Sequence, residues 1–329
     1  MNFYSLCEEE LRDVEREMEL LIGKREKKVF GILPAFIKRG GKRTRPLLLF
    51  LSFYAFGGKM QKDIIKQAAL IEMFHNFTLI HDDIEDNSKF RRGEPTLHVE
   101  YGVPMALNSG DALYTLIWNE FMKNNFPADK KVEIANMCSN AFLEVVEGQG
   151  VEIFWEKENV FDITEQDYFD MVNKKTAALI ALSCRIGGYL AGATREEQDA
   201  LEKFGRNIGI AFQVWDDVLN LTADFKKYKK EIGGDITEGK RTLMVIKALE
   251  KATPADRKRL IEILSSHSDK EDDISDAIRI MKKCGTIDYA AEKARVLVSE
   301  GKKSIDFLKP SRYKDALLAL ADHIINREG

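Results

Sequence analysis

From Asp63 to about Asp86 apolar residues fall on nearly every helical face: Ile64, Ile65, Ala68, Ala69, Ile71, Phe74, Phe77, Leu79 and Ile80. A helix that is apolar all round belongs in the middle of a large structure, not on its rim. Yet this one ends in Asp82-Asp83-Ile84-Glu85-Asp86, and a second helical stretch, read over Glu196 to Leu221, closes on Asp216-Asp217-Val218-Leu219-Asn220. The rest of the chain is equally helical in character. Seven prolines punctuate 329 residues, and the runs between them are rich in Ala, Leu, Ile, Glu and Lys, the strong helix formers. We therefore expect an all-α chain. Length alone would allow two domains, but the pattern reads as one over residues 1–329, with two helices presenting acids to one central cavity.

Further helices are expected over Leu11 to Phe36, interrupted or kinked near Pro34, Thr44 to Phe56, Val103 to Lys123, Asp129 to Val151, Thr164 to Leu190 and Lys240 to Lys251, with three more beyond. The long connections, Asn87 to Glu94 and Thr222 to Glu238, are polar, bear glycine and follow the acidic ends. The N-terminus lacks the basic, apolar and small-residue sequence of a signal peptide, and no apolar run reaches the ~18 residues of a membrane span. A soluble protein without stable membrane insertion follows. The formal charge of -4, with both signs interspersed, gives no reason to expect nucleic acid. Cys7, Cys138, Cys184 and Cys284 are scattered, which argues against a zinc site or disulfide framework and fits a reducing cytoplasm.

Carboxylates at i and i+4 on a helix lie about 5–6 Å apart and repel by roughly 3 kcal/mol at an effective dielectric of ~20. A cation should relieve them. Oxygen ligands with no cysteine in either cluster favour Mg²⁺, which takes one or two carboxylates and completes its shell with water and phosphate. Arg91 and Arg92 follow the first cluster, and arginine suits bidentate phosphate recognition. Upstream, Arg39-Gly40-Gly41-Lys42-Arg43-Thr44-Arg45-Pro46 sets four cations around two glycines before a helix, a second plausible anion pocket. Lys174-Lys175-Thr176 and the stretch Gly233 to Thr242 add further cations. His75 could hydrogen-bond an anion, whereas His81 reads as a packing group. Glu271-Asp272-Asp273, in a uniformly polar stretch, reads as solvated surface.

In this order, these residues resemble the trans-isoprenyl diphosphate synthases, also called the polyprenyl synthetase family. Residues 40–46, 82–93 and 212–220 look like the family's homoallylic loop and its two aspartate-rich motifs, with 148–152, 175–176 and 233–242 in the expected order. The resemblance implies the type I isoprenoid synthase fold, a homodimer, and a reaction in which isopentenyl diphosphate is condensed with a dimethylallyl, geranyl or farnesyl diphosphate. It also implies that Asp82 and Asp86 bind two Mg²⁺ ions and Asp216 a third, supported by Asp83, Asp217 and Asp235. Arg91, Lys175, Lys230 and Lys240 would hold the allylic diphosphate. Gly41, Lys42, Arg45, His75 and Arg92 would hold isopentenyl diphosphate, and Thr176 and Gln213 would face the allylic cation. Asn220 and Glu152 stand where aspartate is usual, and Asn220 would reach metal through water.

A terpene cyclase shares the ionisation step but needs no second diphosphate pocket, so the Lys42/Arg45 loop speaks against it. A non-catalytic prenyltransferase subunit would be expected to have lost the acids. Phe77, five residues before Asp82, would lie beneath the metals as the floor on which the product stops growing. Phe77 beside the small Thr78 resembles the geranylgeranyl pattern, with farnesyl or longer products as the alternatives.

Overall fold

The computed structural model describes residues 3–222 and 233–327. It is all-α apart from one two-stranded hairpin, Phe90–Arg91 antiparallel to Glu94–Pro95. The chain divides into two compact units. One comprises Met1–Ser139, Leu182–Leu201 and Leu308–Leu317; the other comprises Asn140–Ala181, Glu202–Phe307 and Leu318–Gly329.

In the first unit the Lys62–Glu85 helix is central, buried from Ile64 to Phe74 at every position but Lys66. It packs against the Val103–Phe121, Glu8–Gly23 and Thr44–Ala55 helices. Of its buried polar groups, Asn76 Nδ2 donates to the Glu72 carbonyl at 2.7 Å. The Thr44–Ala55 helix buries Pro46 through Phe53 without interruption. Pro46 costs it little, because first-turn N–H groups have no partner within the helix. The expected first helix is broken differently from the reading above. It runs Glu8–Gly23 and is followed by Lys27–Phe30 and Leu33–Lys38. Of the two expectations, interruption or kink, the interruption is what occurs: Pro34 lies in the first turn of a new helix, as its missing N–H and fixed φ favour.

The Thr164 to Leu190 segment is three pieces in place of one. Glu165–Val172 is α-helical behind a Thr164/Asp167 capping box, Asn173–Ala177 widens to a π-turn, and Ala178–Leu190 resumes the α-helix. The Arg195–Thr222 helix passes very close to this segment. A Cβ on Gly209 would lie 2.7 Å from Ala177 Cα, so only glycine admits the approach. Beyond Lys251 the described residues hold four helices, Pro254–Ser265, Glu271–Lys283, Thr286–Ser304 and Arg312–Asn326, one more than expected. Glu271, Asp272 and Asp273 form the first turn of one of them, where carboxylates meet the positive end of the helix dipole. Glu271 and Asp272 are exposed, as expected of solvated surface, while Asp273 accepts from Ser268 and Arg259. No described helix is long and apolar enough to cross a membrane.

Candidate active site

The helical twist sorts the acids at the end of the Lys62–Glu85 helix. Asp83 turns inward at 1% exposure, while Asp82 and Asp86 remain half-buried. The hairpin then folds Arg91 back over the helix end, turning through Arg92 and Gly93, both at positive φ. Arg91 Nε donates to Asp83 Oδ1 at 2.7 Å, and Nη2 lies 3.4 Å from Asp82 Oδ2. Burial alone would lower the Arg91 pKa, but Asp83, Asp82 and Asp86 together hold it above its ordinary value. Burial raises Asp83 even against the pull of Arg91. Both shifts are upward, so they bear oppositely on charge: the shift favours the charged guanidinium of Arg91 and disfavours the charged carboxylate of Asp83, whose side chain is only 2% exposed. At 2.7 Å we take the pair to be ionic. Asp83 Oδ2 is buried without a hydrogen-bond partner, leaving an oxygen lone pair unused beside Asp82.

The cationic loop lies in the same unit. Gly40 and Gly41 have φ of 86° and 147°, and a Cβ on Gly41 would come within 2.9 Å of Arg92 Nη2 and 3.2 Å of Arg43 Nη1. Glycine here lets two guanidiniums close on the backbone, and Arg92 donates to the Gly40 carbonyl. Lys42 is exposed. Arg45 is half-buried with its Nε unpartnered. Burial lowers its pKa to about 10, Glu72 opposing and Arg92 adding to the shift. His75 is driven well below its ordinary value, first by burial and then by Arg45, Arg92, Arg91 and Arg43. A neutral imidazole within the field of four arginines can serve an anion as a hydrogen-bond donor without adding charge. Of the residues expected to hold isopentenyl diphosphate, Gly41, Arg45, His75 and Arg92 therefore share one environment, and Lys42 sits on its loop.

In the second unit the π-turn carries Lys175 and Thr176, consistent with the frequent use of such turns at functional sites. A chain of hydrogen bonds leads inward from it. Thr176 Oγ1 donates to Gln213 Oε1 at 2.9 Å, Gln213 Nε2 donates to Asp217 Oδ1 at 2.8 Å, and the Tyr168 hydroxyl donates to Asp217 Oδ2 at 2.7 Å. Burial pushes Asp217 well above the usual carboxylate range, and Asp235 adds to it against the two donors. Burial likewise raises Tyr168, with Asp217 next. Asp216, half-buried on the same helix, accepts from Arg327 Nη2 at 3.1 Å. Lys175 pairs with Glu152 and Lys240 with Glu238, while Asp235 lies 4.0 Å from Lys240. Asn220 is used structurally: its side-chain oxygen accepts from the Asp235 N–H at 3.3 Å and its carbonyl from the Gly233 N–H at 2.9 Å. It thereby anchors the turn that leads to Lys240. Lys230 lies outside the described residues.

Among the described residues no three His, Cys, Asp or Glu side chains form a ready-made metal cage. Half-buried carboxylates beside the unpartnered Asp83 oxygen nonetheless have the donor chemistry of Mg²⁺, which keeps waters and takes substrate phosphate. Beneath the first cluster Phe77 is half-buried among aromatic rings, with centroids 4.6 Å from His81, 5.2 Å from Tyr114 and 5.4 Å from Phe74. Four participants were not singled out from the sequence: Tyr168, Glu72, Arg43 as an inward-facing group, and Arg327. Nothing in the local pattern marks Tyr168, which reads as an ordinary apolar position of its helix. Glu72, a charge in the middle of an apolar helix, was the readable signal.

Comparison with known proteins identifies the family. The family model described as polyprenyl synthetase matches residues 26–281. A short chain isoprenyl diphosphate synthase from Methanothermobacter thermautotrophicus is 41% identical over 292 residues, covering 89% of this chain and 88% of that protein. The crystal structure of a geranylgeranyl pyrophosphate synthetase from Pyrococcus horikoshii superposes with a TM-score of 0.91 at 35% identity, over 99% of this chain and 98% of the other. The geranylgeranyl pyrophosphate synthase from Corynebacterium glutamicum, complexed with isoprenyl diphosphate and magnesium, gives a TM-score of 0.87 at 26% identity, over 95% of this chain and 97% of that one.

Proposed function

This chain belongs to the polyprenyl synthetase family, and from that premise we propose that it is a short-chain trans-prenyltransferase. It joins isopentenyl diphosphate to an allylic diphosphate, with geranylgeranyl diphosphate as its product. One observation carries the reading. The first unit holds two chemically different polar clusters, the carboxylate helix end with Arg91 and the separate cationic loop around a neutral His75, and each suits one diphosphate. A terpene cyclase needs only the former.

Asp82 and Asp86 would hold two Mg²⁺ ions and Asp216 a third; bound there, Mg²⁺ neutralises charge on the leaving diphosphate. By the family resemblance Arg91, Lys175, Lys230 and Lys240 would add positive charge to the same anion, the electrostatic contribution expected to dominate ionisation. Gln213 is held from both ends, its amide on Asp217 and its oxygen on Thr176. The lone pairs of Gln213 Oε1 and Thr176 Oγ1 are thus fixed in direction and suited to face a carbocation. Lys42, Arg45, His75 and Arg92 bind the second diphosphate, so that the double bond is held at the cation by positioning. The departed diphosphate takes the proton that leaves.

The reading treats residues 1–329 as one catalytic domain, supported by a family match that runs through segments of both compact units. It includes a homodimer, for which Val99, Tyr101, Val103 and Leu107, all exposed on neighbouring helices, offer an apolar face. Four free cysteines, three of them buried, suit a reducing cytoplasm. The deciding experiment supplies Mg²⁺, isopentenyl diphosphate and, in turn, dimethylallyl, geranyl and farnesyl diphosphate, then sizes the products. Twenty-carbon prenyl diphosphate is expected. Cyclic hydrocarbon formed from the allylic substrate alone, without incorporation of isopentenyl units, would refute it.

A further inference from the structure

The cationic loop contains an arginine that points the wrong way for a substrate. Arg43 adopts the left-handed conformation, φ 43°, which non-glycine residues enter rarely, and its side chain is 5% exposed. Its guanidinium ties four segments of the first unit. Nε donates to Glu15 at 3.1 Å, Nη1 to Glu72 at 3.2 Å and to the Gly40 carbonyl at 3.5 Å, and Nη2 to the Ile37 carbonyl at 2.9 Å. A guanidinium has five N–H donors, and four are engaged here. No fork remains for a phosphate. Glu72, 3% exposed in the core of the Lys62–Glu85 helix, is three residues before His75. Its negative charge also opposes the depression of Arg45 and Arg92, so it is the common counter-charge of the loop.

We propose that Arg43 is a positioning residue: clamped by Glu72 and Glu15, it holds the Gly40–Gly41 turn so that Lys42 and Arg45 present their cations to isopentenyl diphosphate without Arg43 touching it. The proposal rests on the reading that this loop holds isopentenyl diphosphate. Loosening the clamp disorders the pocket for one substrate and leaves the carboxylate site alone. It also links two side chains of distant sequence position, since the turn is held only while both charges are present.

The test compares KM for isopentenyl diphosphate and for the allylic substrate in Arg43→Met, Glu72→Gln, the double variant, Arg43→Lys and Lys42→Ala, with folding checked by circular dichroism. Arg43→Met and Glu72→Gln should each raise KM for isopentenyl diphosphate about fivefold or more, with the allylic KM within about twofold. The double variant should be no worse than the worse single, and Arg43→Lys should recover part of the loss by keeping the charge opposite Glu72. Multiplying effects in the double variant, or equal changes in both KM values, overturn the proposal. If Lys42→Ala is selective for isopentenyl diphosphate and Arg43→Met is not, the positioning role alone falls; if Lys42→Ala is not selective either, the assignment of the loop falls with it. Should Arg43→Met fail to fold, Glu72→Gln, of nearly unchanged shape, decides alone, and an unaltered KM for isopentenyl diphosphate overturns the idea.

Discussion

Replacing Phe77 by alanine separates a floor for the growing chain from ordinary packing. The ring lies five residues before Asp82, about 7.5 Å down the helix axis at 1.5 Å per residue, and contacts Phe74, His81 and Tyr114. A fully buried aromatic side chain removes about 150–250 Å² from water. Phe77 is half-buried, so about half of that area at about 25 cal/mol/Å² predicts a loss of about 2–3 kcal/mol, read from the urea midpoint. Under the floor hypothesis the same variant makes prenyl diphosphates longer than the wild type, resolved by chromatography after dephosphorylation. The reverse change is available beside it. Thr78 is half-buried and spends its hydroxyl on the His75 carbonyl at 2.8 Å, so Thr78→Phe adds a second ring one position nearer the acids and should shorten the product. A Phe77→Ala protein that loses the expected stability and still stops at the wild-type length would show that the ring only packs.

Asp82→Asn should abolish condensation at a stability change of about 0–1 kcal/mol, since its contact with Arg91 is long and partly exposed; substantial turnover under saturating Mg²⁺ would contradict the metal assignment. Arg91→Met leaves Asp83 buried without its cation and should cost about 2–3 kcal/mol in urea unfolding, below the ~3–5 kcal/mol of fully buried pairs because Arg91 is 23% exposed. An unchanged midpoint would mean that the pair contributes nothing. Lys42→Ala should raise KM for isopentenyl diphosphate by the equivalent of about 1.5–3 kcal/mol and leave the allylic KM unchanged, with equal effects on both counting against two separate pockets. His75 is held neutral in the fold, below its ordinary 6.5, so below about pH 6.5 the unfolded chain takes a proton that the folded one refuses. Stability is therefore lost as pH falls, at up to about 1.4 kcal/mol per pH unit from this group. His75→Gln should flatten the slope of urea midpoint against pH between about 6.5 and 5 relative to wild type, and identical slopes would remove His75 as its source.

What could be read from the sequence follows from what periodicity reports. Burial on every face marked the Lys62–Glu85 helix, and its position in the core is where the fold puts it; the acids at its end were legible for the same reason, as charges where the pattern allows none. Backbone turns were less legible. The π-turn at Asn173–Ala177 leaves no mark in a 3.6-residue period, although it sets the direction of Lys175 and Thr176. Pro34 carries the same sequence signal whether it kinks a helix or starts one, and the choice depended on the break after Gly23. The Gly40 to Arg45 loop shows the limit most clearly. Its sequence presents Lys42, Arg43 and Arg45 as three equivalent cations. The left-handed backbone at Arg43 turns that side chain inward onto Glu72 and Glu15, while Lys42 stays exposed and Arg45 keeps an unpartnered Nε. Glu72 was the available clue, because a carboxylate embedded in an apolar helix requires a buried cation. Choosing Arg43 as that cation required the conformation of the intervening turn, which no residue in the motif specifies alone.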